Sequence, residues 1–346
     1  MRVVQISDTH LSAAKPHFAG NWLSLAAWIA DQHPELLIHT GDATVDGAGT
    51  EAELAYVAGL MNALGVRWRA VPGNHDVGDA GHADEPVNVE RLAAWRRHFG
   101  PDRWVEDLGE GAGGWRLIGL DAMLIGSGEP EEKEQAVWLE RVMTEAEGRR
   151  IAWFLHRPLF LDDSQEGDTG YWSIKPPPRA PLMALVRQYH VALVASGHLH
   201  KARDFARDGT RYIWSPASSF LCGAMQPSMP GDKKLGAVLY DFGDTAFTAQ
   251  VTELPALTRT GSTTSSTKST RARPRPRGKP ERQAFRCAQP TAGKCRPAAP
   301  AISNVERRFW FARQHGWGQR GASVVIFRSG RFVTFDNSML KDVIIS

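Results

Sequence analysis

The sequence has few cysteines and no long apolar run, and these absences exclude several classes of protein. Its 346 residues contain only three cysteines, too few for a disulfide framework and without zinc-finger spacing. No stretch approaches the roughly 18 apolar residues that a membrane span needs. The apolar run that opens the chain is not preceded by a basic leader with a cleavage site. We therefore expect a cytoplasmic protein that does not enter a membrane.

Positive charge is scarce through most of the chain and concentrated at its end. Residues 1–258 carry 23 Lys and Arg against 34 Asp and Glu, whereas residues 259–346 carry 18 against 4. The net charge of +3 for the whole chain therefore describes neither part. Because the first part is acidic, the overall basic balance does not indicate that it binds nucleic acid.

Strand-like and helical patterns alternate over the first 255 residues. The strand-like runs are Val3–Ser7, Leu36–Thr40, Trp68–Val71, Trp115–Leu120, Ile151–Leu155 and Val191–Ser196. The helical patterns are Trp22–Asp31, Glu51–Leu64, Glu90–Phe99, Glu131–Glu145 and Pro181–Tyr189. Three short strands follow, which predict an antiparallel closing sheet: Tyr212–Trp214, Leu235–Phe242 and Phe247–Leu254. Together these patterns predict a layered α/β domain with two sheets over residues 1–255.

The composition changes near residue 256. Residues 256–300 are rich in Ser, Thr, Arg and Pro, which predicts a disordered basic linker, because such a segment buries too little apolar surface to fold. Residues 301–346 regain aromatic residues and two strand-like runs, Ser323–Phe327 and Arg331–Phe335. This segment is predicted to be either a small hairpin or unstructured. The basic tail either binds nucleic acid or an acidic surface, or is merely solvated, or is an out-of-frame extension of a GC-rich gene.

Five polar motifs follow strand-like runs, and seven of their Asp, Asn and His residues are candidate ligands for divalent metals. In chain order they are Asp8-x-His10, Gly41-Asp42, Gly73-Asn74-His75-Asp76, His156 and Gly197-His198-Leu199-His200. Residues two apart at a strand end point the same way, and the carboxyl ends of parallel strands share one edge of a sheet. Seven ligands exceed the needs of one ion, whereas two ions that share a carboxylate would use them all.

Each motif taken alone also has an ordinary structural explanation. Asp8 and His10 are equally consistent with surface and loop residues, and Gly-Asp is a common turn. A lone histidine such as His156 is more often a core residue with satisfied hydrogen bonds. The common position of the motifs at strand ends favours a single site. Within it, His75 is a candidate substrate contact, and Asp76 is expected to orient its imidazole.

Together the motifs resemble the calcineurin-like metallophosphoesterase superfamily, whose pattern is D-x-H, G-D, G-N-H-D/E, H and G-H-x-H. The resemblance covers roughly residues 1–255, and every motif position is filled. Gly73-Asn74-His75-Asp76 and a chain that starts at the first motif are most similar to the bacterial class III cyclic-nucleotide phosphodiesterase group. The resemblance implies a four-layer αββα sandwich of two mixed β-sheets flanked by helices, with the metal site at the carboxyl ends of the strands.

The resemblance also implies two divalent metal ions, drawn from Mn, Fe and Zn. The ligands expected for one ion are Asp8, His10, Asp42 and His200. Those expected for the other are Asp42, Asn74, His156 and His198, so that Asp42 bridges. The implied reaction is hydrolysis of a phosphoester by in-line attack of a metal-bridging hydroxide, with His75 facing the substrate.

The substrate is expected to be selected by loops outside these ligands. A lid is predicted over Asp162–Pro178, where Tyr171 and Trp172 either stack on the substrate or pack against the protein. Arg157 stands where the superfamily often has a second histidine, and it either contacts phosphate or lies at the surface. His17 is predicted to lie on the opposite wall.

The preferred substrate is a small phosphodiester, either a cyclic nucleotide or a glycerophosphodiester. The alternatives are a phosphomonoesterase, a nucleotide pyrophosphatase or a lipid-phosphate hydrolase on the same site. A non-catalytic scaffold is disfavoured because all seven ligand positions are filled. The oligomeric state is left open, with a homodimer among the possibilities.

Overall fold

The computed structural model describes residues 1–82, 84–223 and 229–259, together with the backbone of two strands at 323–328 and 331–336. From residue 260 onward, the linker predicted over 256–300 lies outside the described residues, as does most of the segment over 301–346. Within the described residues, no helix is long and apolar enough to cross a membrane.

The described part of the first 253 residues contains eleven strands and six α-helices. The strands are β1 (Arg2–Ile6), β2 (Leu36–His39), β3 (Trp68–Ala70), β4 (Trp104–Leu108), β5 (Trp115–Leu120), β6 (Arg150–Leu155), β7 (Leu193–Ser196), β8 (Arg203–Arg207), β9 (Thr210–Trp214), β10 (Gly236–Phe242) and β11 (Phe247–Glu253). The helices are α1 (Ala19–Gln32), α2 (Glu51–Ala63), α3 (Asn74–Val77), α4 (Val89–Phe99), α5 (Pro130–Thr144) and α6 (Pro176–Gln188). Two further strands, β12 (Ser323–Arg328) and β13 (Arg331–Asp336), pair in an antiparallel two-stranded sheet.

Strands β1 to β11 form two mixed sheets, as predicted. The first has the order β11-β10-β1-β2-β3, with β1, β2 and β3 parallel and β10 antiparallel to β1. The second has the order β4-β5-β6-β7-β9-β8, with β5, β6, β7 and β9 parallel and an antiparallel strand at each edge. Parallel strands need crossover connections. Helices α1, α2, α5 and α6 provide them, except between β7 and β9, which β8 connects.

Strand β6 shows how the chain builds two layers of core. Ile151, Trp153 and Leu155 point into the cluster that contains the buried faces of the helices. The alternate residues Ala152 and Phe154 point into a second cluster, whose other members come from strands of both sheets. The period-2 alternation of a strand with two apolar faces therefore places it between a helical layer and the opposite sheet.

The structure corrects the predicted start of the last helix. The sequence pattern predicted it at Pro181, but α6 begins at Pro176, and Pro176–Pro178 form its first turn. Prolines are accepted there because the first N–H groups of a helix have no intrahelical acceptor. The lid predicted over Asp162–Pro178 therefore ends sooner, at Lys175.

The predicted antiparallel closing sheet is only partly confirmed. Strands β10 and β11 do pair antiparallel, but they extend the first sheet beside β1, whereas β9 pairs parallel to β7 in the second sheet. Strands β4 and β8 lie at the two edges of the second sheet and were not predicted. Their half-exposed, charge-bearing sequences lack the continuous apolar run of a central strand, because an edge strand is covered on fewer sides.

Asp121, directly after β5, is a fully buried carboxylate with an incomplete set of partners. Its Oδ1 accepts a hydrogen bond from the Met123 main-chain nitrogen at 2.8 Å. Its Oδ2 has no hydrogen-bond partner among the described residues. Burial, assisted by the negative charge of Asp102, raises the pKa of Asp121 well above 3.8.

We expect this buried carboxylate to make stability fall as the pH rises above about 4. In that range the unfolded chain has released the Asp121 proton and the folded chain still holds it, so the folded state binds more protons. The free energy of unfolding of Asp121→Asn, measured by urea titration from pH 4 to pH 8, should decline less with pH than that of the wild type. Parallel curves for the two proteins would contradict the assignment.

Candidate metal centre

The residues of the five motifs lie where the carboxyl ends of the parallel strands of both sheets meet. The first sheet supplies Asp8, His10, Asp42 and Asn74, which follow β1, β2 and β3. The second sheet supplies His156, His198 and His200, which follow β6 and β7. The His10 backbone donates to the Asp42 carbonyl at 3.1 Å, and the His198 backbone donates to Asp8 Oδ2 at 3.1 Å. These hydrogen bonds therefore join the Asp8 loop to the Asp42 loop of the same sheet and to the His198 loop of the other sheet.

Asp8, His10 and His200 form the first compact group of potential ligands. His10 Nε2 lies 3.2 Å from His200 Nε2, and His200 Nε2 lies 3.4 Å from Asp8 Oδ1. All three side chains are buried. Asp8 Oδ1 is buried without a hydrogen-bond partner among the described residues. An orphaned carboxylate oxygen facing two imidazole nitrogens fits a bound divalent cation.

Asp42, His156 and His198 form a second compact group. His156 Nε2 lies 3.3 Å from Asp42 Oδ2, 3.3 Å from Asn74 Oδ1 and 3.1 Å from His198 Nδ1. The same Asp42 Oδ2 lies 3.8 Å from His10 Nε2 of the first group. One carboxylate oxygen is therefore close to both groups. His75 also comes within reach of His10 and Asp42.

Carbonyl acceptors determine which ring nitrogen each histidine offers to a metal. His156 Nδ1 lies 2.7 Å from the Thr40 carbonyl and His200 Nδ1 lies 2.8 Å from the Phe220 carbonyl. Because a carbonyl only accepts, these nitrogens carry protons and Nε2 is left as the ligand atom. In His198, Nε2 donates to the Tyr171 carbonyl at 3.0 Å, so Nδ1 faces the site.

Five of the seven potential ligands have a left-handed backbone. Their φ angles are +53° at Asp8, +43° at His10, +53° at Asp42, +71° at His198 and +50° at His200. Asp and His adopt this region more readily than most residues, but it is rare outside glycine. The strained conformations turn each side chain sharply at the end of its strand. Such strain typically accumulates at functional sites.

Two glycines allow the loops to approach closely. A Cβ on Gly73 would lie 2.2 Å from Asp42 Oδ1 and 2.3 Å from the Asp42 backbone nitrogen. A Cβ on Gly197 would lie 1.8 Å from Ser7 Oγ and 2.8 Å from Asp8 Oδ2. Any side chain at either position would push a carboxylate away from the site. This steric requirement explains why glycine stands in these two motifs.

The carboxylates dominate the electrostatics of the site. Burial by itself would raise the pKa of Asp8 and Asp42, but the neighbouring His200 and His156 lower both. Burial lowers the pKa of His156, yet Asp42, Asp8 and the Thr40 carbonyl together outweigh burial and raise the value to about 9. Burial lowers the pKa of His10 to about 3. The negative potential that holds protons on some of these imidazoles also attracts a cation.

His75 and Asp76 have different partners from those expected. The His75 ring donates through Nδ1 to the Val45 carbonyl at 2.8 Å, and its backbone nitrogen donates to Asp42 Oδ1 at 2.9 Å. The Asp76 carboxylate instead accepts from the backbone nitrogens of Ala43, Thr44 and Gly73, and from the Thr44 hydroxyl at 2.7 Å. The prediction that Asp76 orients the His75 imidazole is therefore wrong.

The reason is geometric, because Asp76 is fully buried beneath the loops. It joins the loop around Asp42 to the loop around Asn74. Burial and the nearby Asp42 charge raise its pKa to about 6. His75 keeps Nε2 as its free ring nitrogen, and its ring lies 4.7 Å from that of His10.

Tyr171 and Trp172, the two aromatic residues of the predicted lid, have different surroundings. The Tyr171 ring is 44% exposed and lies 4.6 Å from the His198 ring. Trp172 packs against a small cluster that includes Leu199 and Trp214, and its ring is 6.4 Å from His198. Of the two alternatives, Trp172 therefore packs, whereas Tyr171 borders the site. Arg157 lies beneath the Tyr171 ring, 5.5 Å from its centroid, and is buried rather than at the surface.

His17 is exposed on the side of the site opposite the predicted lid, and its described ring contact is with Phe18 rather than with a potential ligand. Its ring lies 6.2 Å from that of Phe18, which stacks on Phe220 at 5.2 Å. Phe220 in turn lies 5.1 Å from His10 and 4.3 Å from His200. The two phenylalanines therefore form this wall, and no motif in the sequence indicated Phe220.

His39 is a further residue that the motifs did not reveal. It ends β2 and is fully buried. Its Nδ1 accepts from the Gly41 backbone nitrogen at 3.1 Å, and its Nε2 donates to Thr9 Oγ1 at 2.9 Å. The Thr9 hydroxyl donates onward to the Ala43 carbonyl at 3.1 Å. This relay links the Asp8 loop to the Asp42 loop, and its only signal in the sequence was a histidine inside an apolar strand.

Comparison with known proteins agrees with this architecture. Residues 1–202 match the family model described as calcineurin-like phosphoesterase. The chain is 28% identical over 217 residues to a probable glycerophosphodiester phosphodiesterase GpdQ of Arcobacter nitrofigilis, covering 58% of this chain and 72% of that protein. It is 27% identical over 236 residues to the 3',5'-cyclic adenosine monophosphate phosphodiesterase CpdA of Escherichia coli, covering 63% and 76%.

Solved structures with the same fold share little sequence. GAP50, the anchor in the inner membrane complex of Plasmodium, has a TM-score of 0.53 at 13% identity over 73% of this chain and 84% of its own. Purple acid phosphatase PPD1 from yellow lupin has a TM-score of 0.50 at 16% identity over 73% of this chain and 52% of its own. These likenesses support the fold alone. On the family match, the chain belongs to the calcineurin-like phosphoesterases, a family of metal-dependent phosphoric ester hydrolases.

Proposed function

We propose that the protein hydrolyses small phosphodiesters at a centre that holds two divalent metal ions. The observation that carries the proposal is the position of Asp42, whose Oδ2 lies 3.8 Å from His10 Nε2 and 3.3 Å from His156 Nε2. A carboxylate between two groups of ligands is suited to bridge two ions. Asp8, His10 and His200 complete one group, and Asn74, His156 and His198 complete the other.

The donor set is compatible with Mn, Fe or Zn. Imidazole nitrogens suit Zn and Fe, whereas carboxylate and amide oxygens suit harder ions such as Mn²⁺. When bound, such ions supply an activated water at neutral pH and neutralise charge on the phosphoryl oxygens. The buried, strained loops of this chain keep the ligands in place without reorganisation during the reaction.

His75 is the proposed contact to the phosphoryl group. Its Nδ1 is committed to the Val45 carbonyl, so only Nε2 is free to meet the substrate. Burial lowers the pKa of His75, but Asp42 and the Val45 carbonyl outweigh burial and leave the pKa raised. A histidine in this environment binds an anionic oxygen and can pass a proton to a leaving alkoxide. Asp76 acts indirectly by holding together the loops on which Asp42 and His75 lie.

The preference for a diester is supported by the two similar phosphodiesterases, whose names specify a glycerophosphodiester and a cyclic nucleotide. Arg157 and Tyr171 are the proposed substrate contacts on the His198 side, and Trp172 holds the lid segment in place. On the other side the stacked Phe18 and Phe220 form the wall, with His17 beyond them.

We expect the Mn²⁺-loaded protein to hydrolyse bis-p-nitrophenyl phosphate with a kcat/KM at least about tenfold above that for p-nitrophenyl phosphate. Release of p-nitrophenol measures both reactions. A preference for the monoester would assign the site to a phosphomonoesterase. If the protein bound two metal ions per chain and hydrolysed neither compound nor a cyclic nucleotide, the catalytic proposal would be refuted.

A further inference from the structure

Arg157 and Asp79 form a buried ion pair at the edge of the metal centre. Arg157 Nη2 lies 2.5 Å from Asp79 Oδ2, and the two side chains are 9% and 10% exposed. Asp79 Oδ1 also accepts from the Gly81 backbone nitrogen at 3.1 Å. Despite burial, the Arg157 charge keeps the pKa of Asp79 lowered. A carboxylate paired with a guanidinium leaves no net charge at this position.

Arg157 retains hydrogen-bonding capacity that the protein does not use. Its Nε is buried and has no partner among the described residues. Buried guanidinium donors are normally paired. The ion pair with Asp79 therefore leaves one donor of this guanidinium unsatisfied.

Arg157 lies beside one of the two groups of potential metal ligands. The residue directly follows His156, and its guanidinium lies under the Tyr171 ring at 5.5 Å. The Tyr171 carbonyl is bonded to His198 Nε2 at 3.0 Å. The Arg157 charge therefore lies beside the group formed by Asp42, His156 and His198.

We propose that Asp79 determines which substrate charge the site prefers. By neutralising Arg157, it makes the site favour monoanionic phosphodiesters over dianionic phosphomonoesters. This inference rests on the proposed function. An unneutralised guanidinium beside the metal centre would attract a dianion about twice as strongly as a monoanion, because Coulomb energy scales with charge. The Asp79 carboxylate removes that advantage while the Arg157 donor stays in place.

The test is a double-mutant cycle on this pair, with Mn²⁺-loaded protein. The measured quantity is the ratio of kcat/KM for p-nitrophenyl phosphate to that for bis-p-nitrophenyl phosphate. Asp79→Asn keeps the Oδ1 acceptor for Gly81 and frees the Arg157 charge, so the ratio should rise about tenfold. Arg157→Gln leaves Asp79 unneutralised, so the ratio should fall. The double variant removes both charges and should return the ratio to within about threefold of the wild type.

Asp102→Asn is the matched control for loss of a buried carboxylate. Asp102 is 4% exposed and receives a two-point ion pair from Arg96, with N–O distances of 2.9 Å and 3.0 Å. This pair joins α4 to the loop after it and takes part in none of the contacts at the metal centre described above. The Asp102→Asn ratio should equal that of the wild type.

Two outcomes separate this inference from the proposed function. If the wild type cleaves neither ester, the proposed function fails first. If the wild type is active and the ratio is the same in both single variants, only the role of Asp79 is refuted. A ratio that changes in the same direction in both single variants would also refute the role of Asp79. A pair that only supports the structure would be disrupted in the same way by either substitution. A variant that unfolds is replaced by the double variant, whose wild-type ratio is required by the proposal.

Discussion

Replacement of Asp42 by alanine is expected to abolish hydrolysis of both test esters and to lower metal binding. Asp42 Oδ2 faces both ligand groups, and Asp42 Oδ1 accepts the His75 backbone nitrogen at 2.9 Å. Alanine would therefore remove a ligand from each of the two proposed metal positions and release the loop that carries His75. We expect kcat to fall by at least about a thousandfold, because loss of a single oxyanion-hole donor already costs roughly a hundred- to a thousandfold.

Metal content measured by inductively coupled plasma mass spectrometry should fall from two ions per chain to one or fewer in Asp42→Ala. Asp46→Ala is the matched control, because Asp46 is on the same loop, is 40% exposed and pairs with Lys15 at 3.6 Å. It should retain both activity and metal. An Asp42→Ala protein with two bound ions and near-normal turnover would refute the bridging role.

Gly73→Ala is expected to have the second-largest effect, through steric displacement of Asp42. The added Cβ would meet the Asp42 backbone nitrogen at 2.3 Å, and backbone atoms cannot move aside as a side-chain end can. Gly73 has an extended φ of −107°, so strain in its own backbone plays no part. Overpacking of this kind costs about 1–3 kcal/mol of unfolding free energy, and we expect kcat to fall by about a hundredfold.

Differential scanning calorimetry should show Gly73→Ala melting several degrees below the wild type, since about 1 kcal/mol shifts Tm by roughly 2–4 °C in a domain of this size. Gly20→Ala is the control. Gly20 lies in α1, and a Cβ there would meet nothing within 4 Å. Its Tm should stay level or rise, because alanine is the better helix former. Equal Tm and kcat in Gly73→Ala and the wild type would show that the two loops are not tightly packed.

The chemistry of the site was predictable from short-range sequence signals. Asp8 and His10 follow an apolar strand, and His198 and His200 repeat the same two-residue spacing after another. A strand pattern fixes where its terminal side chains lie, so the potential ligands could be assigned to the carboxyl ends of strands. The expectation of one sheet edge was wrong, because these residues follow strands of two different sheets. The structure does bring all seven residues together.

Residues whose role depends on distant partners were not predictable in the same way. His39 acts through Thr9, and Phe220 acts through His200, across separations of 30 and 20 residues. Neither has a motif, because only the folded chain places the partner. Asp76 was assigned the wrong role for a related reason. Because Asp76 follows His75 in the sequence, it was expected to orient the His75 ring. In the structure Asp76 is buried, and its carboxylate accepts hydrogen bonds from the backbone nitrogens of Ala43, Thr44 and Gly73.

The sequence by itself determined the types and order of the potential ligands and the family, because these depend on residue identity and on the spacing along each strand. Tertiary structure decided the rest. It brought ligands from two sheets to one place, turned five of them into the left-handed region, and set Asp79 against Arg157. These features arise from long-range packing that compensates local strain and burial, and local patterns in a sequence do not carry that information.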